Sequence, residues 1–297
     1  MRATAPSPLF AVFTALAVFA ADAEAGRPRT RARSTDGVVT LRPQVEGRVL
    51  LRRGVFTMGS DQAEIGRALA ECRAEPMGEG CEEEWFADEF APHSVELSDF
   101  WIDRTEVTVA AYRRCVEAGP CLDLPLAAGG RRLLEPSFPV TMVGWSDAVT
   151  FCKFQGGRLP TEAEWERAAR GVRSRRYPWG NVFDPYFVNG GRFGLDVFEE
   201  KDGFLELAPV GTFVHGQTPD RIVDLIGNAE EWVADWWAPE YPLASENNPR
   251  GPSVGDERVV RGGSYIHGRH SLRGAERNKD VPSARRPWRG FRCAYDP

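Results

Sequence analysis

A single α+β domain with sparse regular secondary structure is the fold this sequence predicts, and three observations predict it. The chain has 297 residues, 42% hydrophobic and 27% charged. That is an ordinary globular composition, which excludes collagenous, disordered and multi-span membrane proteins. Aromatic residues make up 11%, with nine Trp and seventeen Phe beside 30 Gly and 22 Pro, pointing to a loop-rich chain packed on rings rather than a helical bundle. Few helical patterns are interspersed with many short apolar segments, punctuated by Gly, Pro and Asn. The formal charge is −6 with the basic residues scattered, so the electrostatic footprint of a nucleic-acid binder is missing.

Arg2 precedes an apolar run, Leu9 to Ala20, and the small residues Ala21, Ala23 and Ala25 offer A-x-A cleavage sites. This is the layout of a secretory signal peptide over 1–25, and about a dozen apolar residues is too short to span a bilayer. A buried N-terminal helix is the weaker reading, because the run shows no helical stripe. Residues 26–46, with Arg27, Arg29, Arg31 and Arg33 among Pro, Thr and Ser, read as a disordered basic linker. The mature chain is expected to be secreted or periplasmic, with no membrane span, and its folded domain to occupy 47–297.

Within that domain, 48–59 and 93–105 read as strands, the second slipping near Ser98 as at a bulge. Between them lies an acidic insertion, 61–91, containing Glu82, Glu83 and Glu84, expected to be a solvated loop pinned by a disulfide. Thr108 caps a short helix with inner face Val109, Tyr112 and Val116, stopped by Gly119-Pro120. Ser146 starts another, running to Gly156-Gly157. Thr161 and Glu164 form a capping box ahead of Trp165, Ala168 and Ala169, and Gly171 ends that helix. Trp232, Ala234 and Trp236 alternate as in a strand. Val259 to Tyr265 and Phe291 to Ala294 are further strand candidates.

The six cysteines contain no C-x-x-C, and export places them where disulfides persist. Six cysteines allow fifteen complete pairings. Proximity favours Cys72–Cys81 and Cys115–Cys121, each closing a short loop, which leaves Cys152–Cys293. Zinc is the competing reading, but the spacings do not suit it.

The order of motifs carries more than any one of them. Gly54-Val55-Phe56-Thr57-Met58-Gly59-Ser60 is followed by Phe100-Trp101-Ile102-Asp103-Arg104-Thr105-Glu106-Val107-Thr108. Val143-Gly144-Trp145-Ser146-Asp147-Ala148 comes next, then Gly157-Arg158-Leu159-Pro160-Thr161-Glu162-Ala163-Glu164-Trp165-Glu166 and Tyr177-Pro178-Trp179-Gly180. The second half holds Asp224-Leu225-Ile226-Gly227-Asn228-Ala229-Glu230-Glu231-Trp232, Arg261-Gly262-Gly263-Ser264-Tyr265 and Gly290-Phe291-Arg292-Cys293. Over roughly 47–296 this resembles the formylglycine-generating enzyme family, the sulfatase-modifying factors. The resemblance implies a fold related to C-type lectins, calcium binding, and a Cys152–Cys293 bridge. The family's oxidases convert a sulfatase cysteine to formylglycine with oxygen and a copper ion held by two cysteines.

The chain departs from that pattern at the reacting atoms. The family's two cysteines lie two and seven residues after the Tyr of Gly-Gly-Ser-Tyr, and here those positions are His267 and Leu272. Soft Cu(I) favours thiolates, and an imidazole with an isobutyl group cannot replace them, so copper is not expected. The position between Ala229 and Glu231, often Trp in the oxidases, is Glu230. Calcium is expected, since it takes hard oxygen ligands. The resemblance implies one set from the Asp224 and Glu231 side chains with the Gly227 and Ala229 carbonyls. A second comprises the Asn189 and Asp202 side chains with the Gly190 and Phe204 carbonyls. The bland alternative is that these Asp and Asn residues cap turns.

Ser264, His267, Arg269, His270 and Arg273, with Glu276 and Arg277, occupy the family's active-site region. Two histidines three apart could bind iron or zinc or move protons near neutral pH, although surface histidines in a loop are the simpler reading. His93 reads as structural, and His215 lies in a loop without an evident partner. The sequence therefore favours a non-oxidase member: a calcium-stabilised, monomeric module that binds a peptide or protein, with Arg261, Arg269 and Arg273 suited to anionic or backbone oxygens. The alternative is an oxidoreductase on the same fold, either a formylglycine-generating oxidase or a histidine-metal oxygenase.

Overall fold

The computed structural model describes residues 47–191, 202–242 and 244–297. The signal-peptide and linker readings, 1–25 and 26–46, lie outside them. Among the described residues, ten short strands and four α-helices are threaded by long loops, as the Gly- and Pro-rich composition predicts. The α+β class with sparse regular structure holds. No described helix is long and apolar enough to cross a membrane.

The first strand candidate divides into β1 (Arg48–Leu51) and β2 (Gly54–Met58), and the second into β3 (His93–Leu97) and β4 (Phe100–Asp103). The slip at Ser98 is not a bulge. β3 runs antiparallel to β2, whereas β4 lies between β1 and β10 (Ala294–Tyr295) in another sheet. The irregularity is where the chain changes sheets, taking Val95 and Leu97, then Phe100 and Ile102, into one core. In the third sheet β5 (Glu230–Trp236) lies between β7 (Arg258–Arg261) and the two-residue β9 (Arg289–Gly290), with β8 (Arg277–Asp280) beyond β7. The candidates 259–265 and 291–294 are thus only partly strand. Gly262 and Gly263 take φ of 95° and 62° and end β7 in a left-handed turn. β5 is buried on both faces along most of its length, because helices and loops cover the sheet.

The acidic insertion is the clearest departure from the sequence reading. It contains α1 (Gln62–Arg73), capped by Asp61, followed by short 3-10 turns. Ile65, Ala68, Leu69, Cys72, Cys81 and Phe86 form a small core of their own. The apolar spacing Ile65, Ala68, Leu69, Cys72 is a helical stripe, masked in the sequence by the acidic residues between and after it. α2 (Val109–Glu117) starts at the Thr108 cap, and α3 (Trp145–Phe154) starts one residue earlier than Ser146. α4 (Glu162–Arg170) has the full capping box: Glu164 N donates to Thr161 Oγ1 at 3.1 Å and Thr161 N to Glu164 Oε2 at 2.8 Å. Trp165 at its centre is fully buried. The three disulfides are Cys72–Cys81, Cys115–Cys121 and Cys152–Cys293, the pairing favoured above, and the third ties α3 to the chain end.

Candidate functional site

The turn after β7 brings together His267 and Leu272, the two positions that the resemblance matches to the family's thiols. A methyl placed on Gly263 would lie 3.2 Å from Leu272 Cδ2 and 3.6 Å from His267 Cβ, so both side chains flank one glycine. Their fates differ. Leu272 is 2% exposed and belongs to the main core with Trp165, Tyr177 and Val188. His267 is half-buried, and its Nδ1 accepts from Ser264 N at 3.0 Å and lies 2.8 Å from Ser264 Oγ. An Nδ1 that accepts a backbone N–H leaves the proton on Nε2 in the neutral ring. Burial, outweighing the pull of Glu230, lowers the His267 pKa. His270 is buried edge-on to Phe86 and is pushed down to about 4 by burial and then by Arg273. It is a packed residue rather than the surface histidine of the simpler reading.

The insertion covers this loop through charge pairs. Glu71 accepts from Arg269 at 2.8 Å and from Arg176 at 2.5 Å, and the Arg269 amide donates to Glu75 at 3.0 Å. Arg273 forms a two-point pair with Glu89, at 2.7 and 2.5 Å, and Ser60 Oγ donates to the same carboxylate at 2.8 Å. Burial alone would raise Glu89, but Arg273 and these hydrogen bonds hold it below the ordinary carboxylate range. Arg261 is fully buried between Glu162 (3.0 Å), Glu166 (2.6 Å) and the Gly274 carbonyl (2.9 Å). Arg261, Arg269 and Arg273 are therefore not free to receive an anionic ligand, as their sequence context suggested. Internal carboxylates already engage them. Among the described residues Glu276 has no such ion pair: it is buried, Oε2 has no hydrogen bond, and burial followed by Glu89 pushes it up to about 8.

The residues implied as calcium ligands gather around Asn228, whose φ of 58° turns the chain. Asn228 Oδ1 accepts from Asn189 Nδ2 at 3.0 Å and from Ala208 N at 2.9 Å, and Asn228 N donates to the Asn189 carbonyl at 2.8 Å. This links the two expected sets. A Cβ on Gly227 would stand 2.3 Å from the Asn189 carbonyl oxygen, so only glycine allows that approach. In the second set Asp202 accepts from Gly190 N at 3.1 Å and Phe204 N at 2.9 Å, which draws all four residues to one place.

The first set is arranged differently from the expectation. Both Glu231 oxygens accept from Arg292, at 2.7 to 2.9 Å, and Oε2 also from Trp165 Nε1 at 2.8 Å, so that carboxylate already has its cation. The Asp224 carboxylate accepts from Gly211 N at 2.6 Å. Its neighbour is Glu106, whose Oε1 accepts from Asn228 Nδ2 at 2.9 Å while buried Oε2 has no donor. Burial raises both Glu106 and Asp224, and the Asp224 charge raises Glu106 further. Two adjacent buried carboxyls, hydrogen-bonded to each other and with no further donor to Glu106 Oε2, can be held by a shared proton or by a hard cation. Among the described residues no three His, Cys, Asp or Glu side chains are placed to hold a metal, so calcium here would depend on carbonyl oxygens as well. Glu106 was not singled out in the sequence because an acid between a strand and a helix cap ordinarily faces water.

Glu230 pairs with Arg289 at 2.6 Å. His93 begins β3, and His215 lies against Phe187 with ring centroids 5.8 Å apart.

The family description that matches is the sulfatase-modifying factor enzyme 1-like domain, over residues 36–297. The chain is 32% identical over 277 residues to the formylglycine-generating enzyme of Bos taurus, covering 82% of this chain and 73% of that protein. It is 39% identical over 175 residues to the inactive C-alpha-formylglycine-generating enzyme 2 of Bos taurus, covering 56% of this chain and 52% of that one. Among solved structures, PvdO from Pseudomonas aeruginosa superposes with a TM-score of 0.65 at 25% identity, covering 83% of this chain and 93% of PvdO. With the ordered motifs and the fold in agreement, the chain belongs to the sulfatase-modifying factor family.

Proposed function

We propose that this protein is an exported, non-oxidase member of the family: a calcium-stabilised module that binds a peptide or protein beside the former oxidase centre. One observation carries the reading. At the two thiol positions, Leu272 is sealed in the core and His267 is held by Ser264, while all six cysteines are bridged. Copper(I) chemistry at this place calls for thiolate ligands. The likeness to a bovine relative described as inactive supports the same reading, and three disulfides suit maturation in an oxidising compartment.

The proposed contact surface is the aromatic row next to the covered loop. Trp179 meets Phe187 edge-on at 5.6 Å, Phe183 lies 4.9 Å under the Arg269 guanidinium, and Tyr186 is 74% exposed. Rings of this kind supply contact area at little entropic cost. Calcium would sit where Glu106, Asp224 and the Asn189–Asn228 turn supply oxygens, with Asp202 organising the neighbouring set. It would supply positive charge that binds these loops together.

The test has two parts. Metal analysis of the purified mature protein is expected to find calcium; stoichiometric copper or iron that is lost in His267→Ala overturns the reading in favour of a histidine-metal oxygenase. A Cys-x-Pro-x-Arg peptide incubated with protein, copper and oxygen is expected to keep its thiol by mass spectrometry. Conversion to the aldehyde would establish the oxidase instead.

A further inference from the structure

We propose that a cavity between β3, the start of α4 and the end of β5 is a second binding site, one that takes an alkylammonium group. The cavity measures 430 Å³ and is lined by Met58, His93, Asp235, Trp236, Tyr241 and Pro249 among others. That size suits a small organic ligand. It contains none of Ser264, His267, Arg269, His270 or Arg273, so the inference stands independently of the function proposed above.

Two acceptors in its wall lack donors among the described residues: the buried His93 Nε2 and Asp235 Oδ1. His93 is 7% exposed, and its Nδ1 lies 3.1 Å from the Ala91 carbonyl. A carbonyl can only accept, so Nδ1 carries the hydrogen and Nε2 of the neutral ring is a bare lone pair. Nε2 is buried without a hydrogen bond. Asp235 is 3% exposed; Oδ2 accepts from Glu162 N at 2.8 Å, and among the described residues Oδ1 receives no hydrogen bond. Among the described residues no arginine forms an ion pair with Asp235; Arg258, which acts on it electrostatically, lies over the Trp145 and Trp236 rings and donates to the Ala234 carbonyl. The nearby Arg277 is committed to Glu162 at 2.7 and 3.1 Å and to the Asp88 and Ala238 carbonyls. A buried acceptor without a donor costs roughly 1–3 kcal/mol; a ligand offering several N–H groups with a positive charge can remove that cost at His93 and add a charge-assisted hydrogen bond at Asp235 Oδ1. Met58, Trp236, Tyr241 and Pro249 supply the apolar surface for the alkyl body.

The groups that set the charge state of Asp235 are known. Burial, then Glu162 and Glu164, push it up to about 8, against Arg277 and the Glu162 amide. Glu240, Glu246 and Arg250 also line the cavity. A bound cation would favour the ionised form, so binding should tighten as pH rises through about 8.

Calorimetric titration of the full mature protein with butylammonium chloride tests this, with 1-butanol as the uncharged control. The expected result is saturable binding by the ammonium alone, weakened by about tenfold or more in Asp235→Asn and in His93→Phe. His93→Phe keeps a ring against Tyr241 and removes the Nε2 acceptor together with the Nδ1 donor to the Ala91 carbonyl. Asp235→Asn keeps an oxygen for the Glu162 amide. A parallel arm uses Nα-acetyl-lysine amide: binding there assigns the site to lysine side chains of a peptide, and binding of butylammonium alone assigns it to free amines. No saturable heat from either ligand, equal binding of 1-butanol, or unchanged affinity in both folded variants overturns the proposal.

Discussion

Two acid-rich regions of this molecule meet opposite electrostatic ends. Beneath the insertion, Glu64, Glu71, Glu89, Glu162 and Glu166 are matched by Arg170, Arg176, Arg261, Arg269, Arg273 and Arg277. Around Asn228, the carboxyls of Glu106, Asp224 and Glu231 share one guanidinium, that of Arg292, and Glu231 takes it. The first region closes on itself; the second is left short of positive charge, and protons or a cation must make up the difference. A buried carboxyl therefore says little about function until its arginines have been located.

The sharpest way to break the comparison is to remove one partner from the closed region. Arg273→Ala strands Glu89 in the interior, and we expect a loss of about 3–5 kcal/mol in urea or thermal unfolding. A change below about 1 kcal/mol would mean the insertion is held by its apolar core rather than by charge.

The disulfides separate the two regions next. Cys152–Cys293 closes a separation of 141 residues beside Arg292, so serine at both positions should cost about 2–5 kcal/mol and weaken any calcium response. Removing Cys72–Cys81, only nine residues apart, should cost less and leave that response intact. The measurement is thermal unfolding with and without calcium.

Calcium itself follows. If the Asn228 region binds it, a chelator should lower stability by about 2.7 kcal/mol when calcium had been a hundredfold above its dissociation constant. Glu106→Gln should shrink that shift, whereas Glu231→Gln should destabilise the protein whether or not calcium is present. An unchanged melting curve in chelator would remove calcium from this account.

The smallest expected effect is pH-dependent. Glu276 is an unmatched carboxyl in the closed region, raised to about 8 chiefly by burial. Between its ordinary value and about 8 the native state keeps a proton that the unfolded chain has released, so this stability is full at acid pH and is lost as pH rises through about 8. Glu276→Gln should accordingly raise the melting temperature above about pH 8 and change it little near pH 5, read by thermal scans across that range.

Local chemistry was legible before any coordinates. The Thr161–Glu164 box, the Thr108 cap and the short-range bridges depend on neighbours within a few residues, and pattern alone locates them. The ordered motifs carried the family, and with it the Cys152–Cys293 pairing. The acidic insertion was misread because its helical stripe is short and its glutamates look solvated; their arginine partners, Arg176, Arg269 and Arg273, lie about a hundred to two hundred residues away.

By itself, then, the sequence determined the helix starts, the cysteine pairing and the absence of thiols at 267 and 272. Tertiary structure alone decided which carboxylates are neutralised, that Leu272 is core, that Arg269 and Arg273 are engaged, and that Glu106 joins Asp224. The reason is physical: capping and turn formation are short-range, whereas the charge state of a buried acid depends on whatever distant segment the fold places beside it.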